Sequence, residues 1–482
     1  MTTSRDVENA YDPERFRALG HRVVDLLADH LARATRRDET LPVLPAITPD
    51  EMMTRWPAHF DERGGADAVA LLTRVIDDSN HLQHPRYVGH QVTAPLPEAA
   101  ICELVAALLN NSMAVYEMGP ASTAMERAVI AFMARAVGYP EDAEGVLTSG
   151  GSVGNLTALI AARRAKGGDQ PGERLAVLTA DQTHYSVRRA VEIMGLGAGG
   201  VVTVPVDERY RLRVDALEAA HRTAEQRGRR VIAVVASACS TATGAFDPLE
   251  PIADHCARHA LWLHVDGAHG ASAVLSPAHR DLLAGVHRAD SVVWDAHKMM
   301  LMPSLVTAVL FRDGARSYEV FAQQASYLFE GKRARDEWFN TGLRTLECTK
   351  RMMALKVYAA LATHGPAFFG DYVAATFERA RRFAAALVAS GHFEIAVEPQ
   401  CNIVCFRVLS PGLDGAELDA LQVEVRRAIV AQGRFYLVQT GLPGGTFLRV
   451  TIIHPLTTDE DLQALAAEVR AQAERIVGET EK

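Results

Sequence analysis

The sequence predicts an α/β protein built on a mainly parallel sheet with helices on both faces. Two observations predict it. From about Gly145 onward, short apolar runs alternate with longer amphipathic segments, the pattern of strand–helix units. The polar motifs of the chain fall at the ends of those runs, where open sheets of this type bind ligands.

The apolar runs are Gly145–Thr148, Leu175–Ala180, Val201–Val206, Val231–Ala238, Leu261–Asp266, Ser291–Trp294 and Leu305–Phe311. Helical segments lie between most of them: Val153–Lys166, Tyr185–Met194, Val214–Gln226 and Leu249–His259. Ahead of this region, Asp12-Pro13 reads as a capped helix start, with apolar residues from Phe16 to Leu27 at helical spacing. The stretch from Arg36 to about Arg63 carries Pro42, Pro45, Pro49 and Pro57 and reads as an extended connector. Beyond the sheet, Cys348–His364 reads as a long helix. It leads into a mixture of helices (Ala374–Ser390, Glu417–Gln432, Asp459–Ile476) and strands (Asn402–Val408, Phe447–Ile453), a small α+β unit. The expected division is an N-terminal segment 1–81 that packs on something else, such as a second subunit, then a large domain 82–348 and a small domain 349–482.

Composition narrows the function. The chain has 482 residues, 48% hydrophobic and 23% charged, with a net charge of −9 and no long basic run. Nucleic acid and anionic membrane are poor partners for such a surface. Six scattered cysteines include no C-x-x-C pair, so neither a disulfide framework nor a zinc site is expected. With no signal-like N-terminus and no apolar stretch near the ~20 residues a span requires, the chain is expected to be soluble and cytoplasmic.

Four motifs carry chemistry. Trp294-Asp295-Ala296-His297-Lys298 follows an apolar run, an enclosed place where a lysine can be partly neutral and form a Schiff base. Alone, a lysine there is as readily a solvated surface charge. His264-Val265-Asp266-Gly267-Ala268-His269 ends another run. An aspartate there can hold a pyridine nitrogen protonated, and Ala268 is small enough to lie under a flat ring. The rival for this motif is a metal centre of His264, Asp266 and His269 in a metal-dependent hydrolase. Thr148-Ser149-Gly150-Gly151-Ser152-Val153-Gly154-Asn155 joins a strand to a helix and suits a phosphate, or is simply a tight turn. His184, just after Leu175–Ala180, can stack on a ring opposite Ala268, or merely sit beside a helix start. Gly195–Gly200 matches G-x-G-x-x-G formally but follows a helix, the wrong order for a dinucleotide fingerprint. Taken in order, phosphate cradle, stacking histidine, acid and lysine describe a site for pyridoxal 5′-phosphate (PLP) held on Lys298.

On these residues the chain resembles the group II PLP-dependent amino-acid decarboxylases, from about His84 to Asp461. Tyr116–Pro120, Gly244–Pro248 and His297–Met300 are most similar to the glutamate and cysteine sulfinate branch. The resemblance implies the PLP-dependent transferase fold of the aspartate-aminotransferase type (fold type I) and a homodimer with shared active sites. It implies that Lys298 carries PLP, that Asp266 pairs with the pyridine nitrogen, and that Ala268 and His184 sandwich the ring. Ser149, Gly150, Gly151, Ser291 and His297 would serve the phosphate and Thr241 the ring edge. Arg449 would face the carboxylate of an L-amino acid, with His90 and Ser112 also toward the substrate. Lys298, His184 and Asp266 are the expected catalytic residues, and no metal is expected.

Two departures from the family pattern stand out. The family's mobile loop carries a tyrosine that returns a proton after CO2 leaves. Here its position falls on Arg335, with Phe339 nearby, while Tyr327 belongs to the run before it. Relatives without that tyrosine can form an aldehyde, so decarboxylation-coupled oxidative deamination is the nearest rival to simple decarboxylation. Gly89-His90-Gln91, Ser112 and Ala114 also do not reproduce the glutamate pocket, and the substrate stays open.

Overall fold

The structure is a computed structural model. It describes residues 5–56, 58–62, 64–167, 173–321, 329 and 335–480. Seven strands form the central sheet: β1 (Glu144–Thr148), β2 (Leu175–Ala180), β3 (Val201–Val204), β4 (Arg230–Ser237), β5 (Trp262–Asp266), β6 (Ser291–Asp295) and β7 (Thr307–Phe311). Their spatial order is β1-β7-β6-β5-β4-β2-β3. Neighbours from β3 to β6 run parallel, and β7 is antiparallel to both β6 and β1.

Both faces of this sheet are apolar, which is why its strands read as apolar runs. Val292, Trp294, Ala308 and Leu310 enter one core, whereas Val293, Val309 and Phe311 enter the other. That is the period-2 alternation of the pleat. Helices Pro120–Ala136, Val214–Gln226 and Leu249–Arg258 cover the first face, and Gly151–Ala165 and Tyr185–Ile193 cover the second.

A second, antiparallel sheet is formed by β8 (Phe393–Ile395), β9 (Ile403–Val408), β10 (Val438–Leu442) and β11 (Gly445–Thr451), in the order β10-β11-β9-β8. Helices Gly415–Gln432 and Asp459–Thr480 pack on it around a separate core that includes Phe406, Leu421, Leu448 and Leu465.

Three expectations are corrected. The helix expected over 348–364 begins only at Ala354; residues 341–353 follow an irregular path. It stops at Gly365 (φ 75, ψ 164), close to its expected end, and the helix expected from Ala374 instead sets off from Pro366 and runs to Ala389. A proline cannot donate the helical hydrogen bond, and a left-handed residue breaks the ladder. The connector over 36–63 contains a short helix, Pro49–Arg55, with a complete capping box between Thr48 and Glu51.

Candidate active site

The loop after β1, the turn after β2 and the ends of β4, β5 and β6 line one cavity. Lys298 stands in a turn three residues past Asp295, the last residue of β6. Its Nζ lies 3.0 Å from Asp295 Oδ2. Asp295 is buried, accepts from Thr307 Oγ1 at 2.6 Å, and has His297 Nε2 at 3.6 Å. Burial pulls the lysine pKa down, but Asp295 and then Asp266 more than offset it, and the net shift is upward. The partly neutral lysine expected from enclosure alone is thus reversed by an acid three residues away.

Asp266 closes β5 inside the same cavity. Its Oδ2 accepts from Asn155 Nδ2 at 2.9 Å, and its Oδ1 from the backbone N–H of Ala268 at 3.2 Å. Asn155 also donates to Ser186 Oγ and, through Oδ1, meets His264 Nε2, each at 2.9 Å. His184 caps the helix Tyr185–Ile193, with Nδ1 2.8 Å from Ser186 Oγ. It therefore combines a capping role with a place in the cavity wall. Burial, before any charge effect, lowers its pKa.

The Ser149–Ser152 loop forms another wall. Gly150 has φ 137, and a Cβ on Gly151 would stand 3.3 Å from both Asp295 oxygens and 3.5 Å from Ala268 Cβ. The helix that starts at Gly151 has no side-chain cap, so its first N–H groups suit an anion. An acid at the end of β5, a lysine opposite and an uncapped helix start together match the groups of PLP: ring nitrogen, aldehyde and phosphate. Thr241, Ala268 and His297 line the cavity with them.

Other expected residues lie elsewhere. Ser291 is at the amino end of β6, fully buried, with its hydroxyl accepting from Trp262 Nε1 and meeting His264 Nδ1, each at 2.9 Å. Four strand residues, roughly 13 Å, separate it from Asp295, so it serves the core and not the phosphate end. His90 is exposed and lies beside Tyr436, ring centroids 5.6 Å apart. Ser112 meets Thr349 through its hydroxyl. Neither lines the cavity within one chain.

Arg449, in β11, is buried with one hydrogen bond, from Nη2 to Thr451 Oγ1 at 3.3 Å. Its Nε has no partner, and no carboxylate pairs with it among the described residues. Burial lowers its pKa, and the thiols of Cys405, Cys401 and Cys239 act next in the raising direction. Cys239 lines the cavity, whereas Arg449 does not.

The alternative metal centre is not assembled. His264 is engaged by Ser291 and Asn155, while His269 turns to Asn402 Oδ1 at 2.7 Å. Tyr327 and residues 330–334 lie outside the described residues. Arg335 is exposed and lines a different depression with Trp338 and Arg127, while Phe339 packs edge-on to Tyr116. The reading of motifs missed Asp295, although it lies within the quoted lysine motif. It also missed Asn155 and Glu347, whose Oε1 accepts from Ser149 Oγ at 2.8 Å.

Comparison with known proteins places this geometry. The pyridoxal-dependent decarboxylase conserved domain matches residues 68–409. The aromatic-L-amino-acid decarboxylase of Bacillus atrophaeus is 29% identical over 96% of either chain. The cysteine sulfinic acid decarboxylase of Mus musculus is 32% identical over 95% of this chain and 96% of its own. The crystal structure of mouse CSAD superposes with a TM-score of 0.88 at 28% identity, over 96% of this chain and 99% of that one. The chain therefore belongs to the pyridoxal-dependent decarboxylase family and is a PLP-dependent amino-acid decarboxylase of the group II, fold type I kind.

Proposed function

We propose that the chain is an L-amino-acid α-decarboxylase that releases CO2 and an amine, with Lys298 as the residue that carries PLP. The convergence of Lys298, Asp266, His184 and the uncapped helix start on one cavity carries this reading. PLP, when bound, supplies an electron sink for the pair left behind as the carboxylate departs. Asp266, fixed by Asn155, keeps a proton on the ring nitrogen. Ala268 and His184 would hold the ring between them. Thr241 would meet its edge, and Ser149, Gly150, Gly151 and His297 would hold the phosphate.

Arg449 binds the substrate carboxylate. Its support is a buried guanidinium with an unpartnered Nε and no acid beside it, since a fork of donors matches a carboxylate. His90 and Ser112 complete the substrate side. His90 supports this reading through its place beside Tyr436.

A homodimer with shared sites accounts for the apolar faces that one chain leaves open. Phe16, Val24 and Leu27 are exposed on the helix Pro13–Thr35, and Ile101, Leu104 and Leu108 on Pro97–Leu109. Segment 1–81 then belongs to the interface of the large domain, 82–348, while 349–482 forms the small one. Six free cysteines fit a reducing cytoplasm. Among the described residues no helix is long and apolar enough to cross a membrane.

The experiment is borohydride reduction followed by peptide mass analysis, with a substrate screen. The relatives' own substrates, cysteine sulfinate, aromatic L-amino acids and 2,4-diaminobutyrate, define that screen. The expected results are cofactor fixed at Lys298, equal amounts of CO2 and amine, no aldehyde and no oxygen uptake. Cofactor fixed on another lysine, or a Lys298→Ala variant with normal turnover, would overturn the assignment.

A further inference from the structure

Three histidines with no part in the cavity meet on one face of the central sheet. His221 lies within the helix Val214–Gln226, and His255 lies near the end of Leu249–Arg258, with His259 as its C-cap. The two helices pack side by side over β4. Ring centroids are 4.6 Å apart for His221 and His259, 4.5 Å for His255 and His259, and 5.9 Å for His221 and His255. One ring nitrogen from each lies within 4.8 Å of the others, and no other such group of three potential ligands occurs among the described residues. Glu218 Oε2 stands 2.9 Å from His259 Nε2 and 3.9 Å from His255 Nδ1.

A satisfied core would pair these nitrogens, and this one does not. His221 and His255 are 7% and 1% exposed, yet Nδ1 of His221 and Nε2 of His255 have no hydrogen-bond partner. Orphaned buried polar atoms are rare and call for an explanation such as an unseen ion.

We infer that His221, His255 and His259, with Glu218 as a fourth ligand, bind a divalent transition-metal ion of the zinc class. Three imidazoles and a carboxylate match the donor set that zinc takes in four-coordinate sites. Zinc–nitrogen bonds of about 2.0–2.1 Å require the rings to close on the ion by small side-chain rotations. The site is separate from the reaction. His259 precedes β5, whose far end carries Asp266, and a five-residue strand spans roughly 16 Å. The ion would staple two helices together. This departs from the sequence-based expectation of no metal: His255 and His259 stand four residues apart, and His221 joins them from a separate helix.

The test uses the untagged holoenzyme, freed of adventitious metal by a chelator and titrated with Zn2+ by calorimetry and Co2+ by absorbance. Expected are one ion per chain, the visible bands of four-coordinate Co2+, and a higher Tm with zinc while the cofactor absorbance is unchanged. His255→Ala and His259→Ala should weaken binding by at least roughly tenfold and abolish the rise in Tm. Should His255→Ala fail to fold, His259→Ala and Glu218→Gln decide, since both positions are partly open to solvent. No stoichiometric binding by the wild type, or equal binding by the wild type and these two variants, overturns the site.

Discussion

The amine of Lys298 lies 3.0 Å from the carboxylate of Asp295, a pairing within one turn that sets the charge of the lysine before any cofactor arrives. Burial opposes the charge, but Asp295 and Asp266 prevail. Only a neutral amine attacks an aldehyde, so Asp295 restrains the lysine in the cofactor-free chain. Asp295→Asn keeps the shape and removes the charge. The lysine pKa should fall, and its neutral fraction at neutral pH should rise about tenfold for each unit of that fall. Recombination of the cofactor-free variant with PLP should then show its rate profile displaced to lower pH. An unchanged profile would mean that Asp295 does not govern the lysine.

Asn155 is the hub behind Asp266. It gives one amide N–H each to Asp266 and Ser186, at 2.9 Å, and its carbonyl meets His264. All four residues are buried. Asn155→Ala leaves several polar groups without partners, at about 1–3 kcal/mol for each. The variant should lose about 2–4 kcal/mol of stability to urea and release PLP more readily, because Asp266 is no longer held in place. Equal stability and equal retention of cofactor, measured by denaturant titration and dialysis, would remove Asn155 from the site.

What the sequence disclosed and what it hid follow from range. Each of the seven central strands was visible as an apolar run because both faces of the sheet are covered. Val201–Val206 ends early, at Val204, where Pro205 cannot donate to a ladder. The reversed direction of β7 was not legible, since a buried strand looks alike in either direction. Lys298, Asp266 and His184 were visible because each closes or follows a strand. Asn155 with Asp266, and Ser149 with Glu347, join residues 111 and 198 positions apart, and no local pattern encodes such pairs. Ser291 rested on the resemblance alone, and its place at the amino end of β6, bonded to Trp262 and His264, sets it in the core.

Arg449 offers a sharp test of substrate binding. Its guanidinium is buried and its Nε has no partner. Arg449→Lys keeps a positive charge but loses the fork that matches a carboxylate. Charge-assisted hydrogen bonds contribute about 1.5–3 kcal/mol each, so kcat/KM should fall by about 10- to 100-fold, with the bound cofactor spectrum retained. Wild-type kcat/KM in this variant would place the carboxylate elsewhere.

Acid should destabilise the fold well above the carboxylate range. Burial lowers the pKa of His264 and His454 to about 4 and of His269 to about 3, from a model-compound value of 6.5. Each is neutral in the folded chain where the unfolded chain is protonated. The unfolded state therefore binds more protons between those limits, and stability falls as pH falls from 6.5. The loss approaches about 1.4 kcal/mol per pH unit for each histidine. Asp247 acts in the opposite sense: burial pushes it up to about 6, so the folded chain gains its proton before the unfolded chain does. His84 and His255 are also lowered to about 4 by burial, so the histidines outweigh the one aspartate and leave a net loss. The urea midpoint should decline from about pH 6.5 to about pH 4.5, and His454→Gln should make that decline shallower. A midpoint flat across this interval would show that the buried histidines take up protons without unfolding.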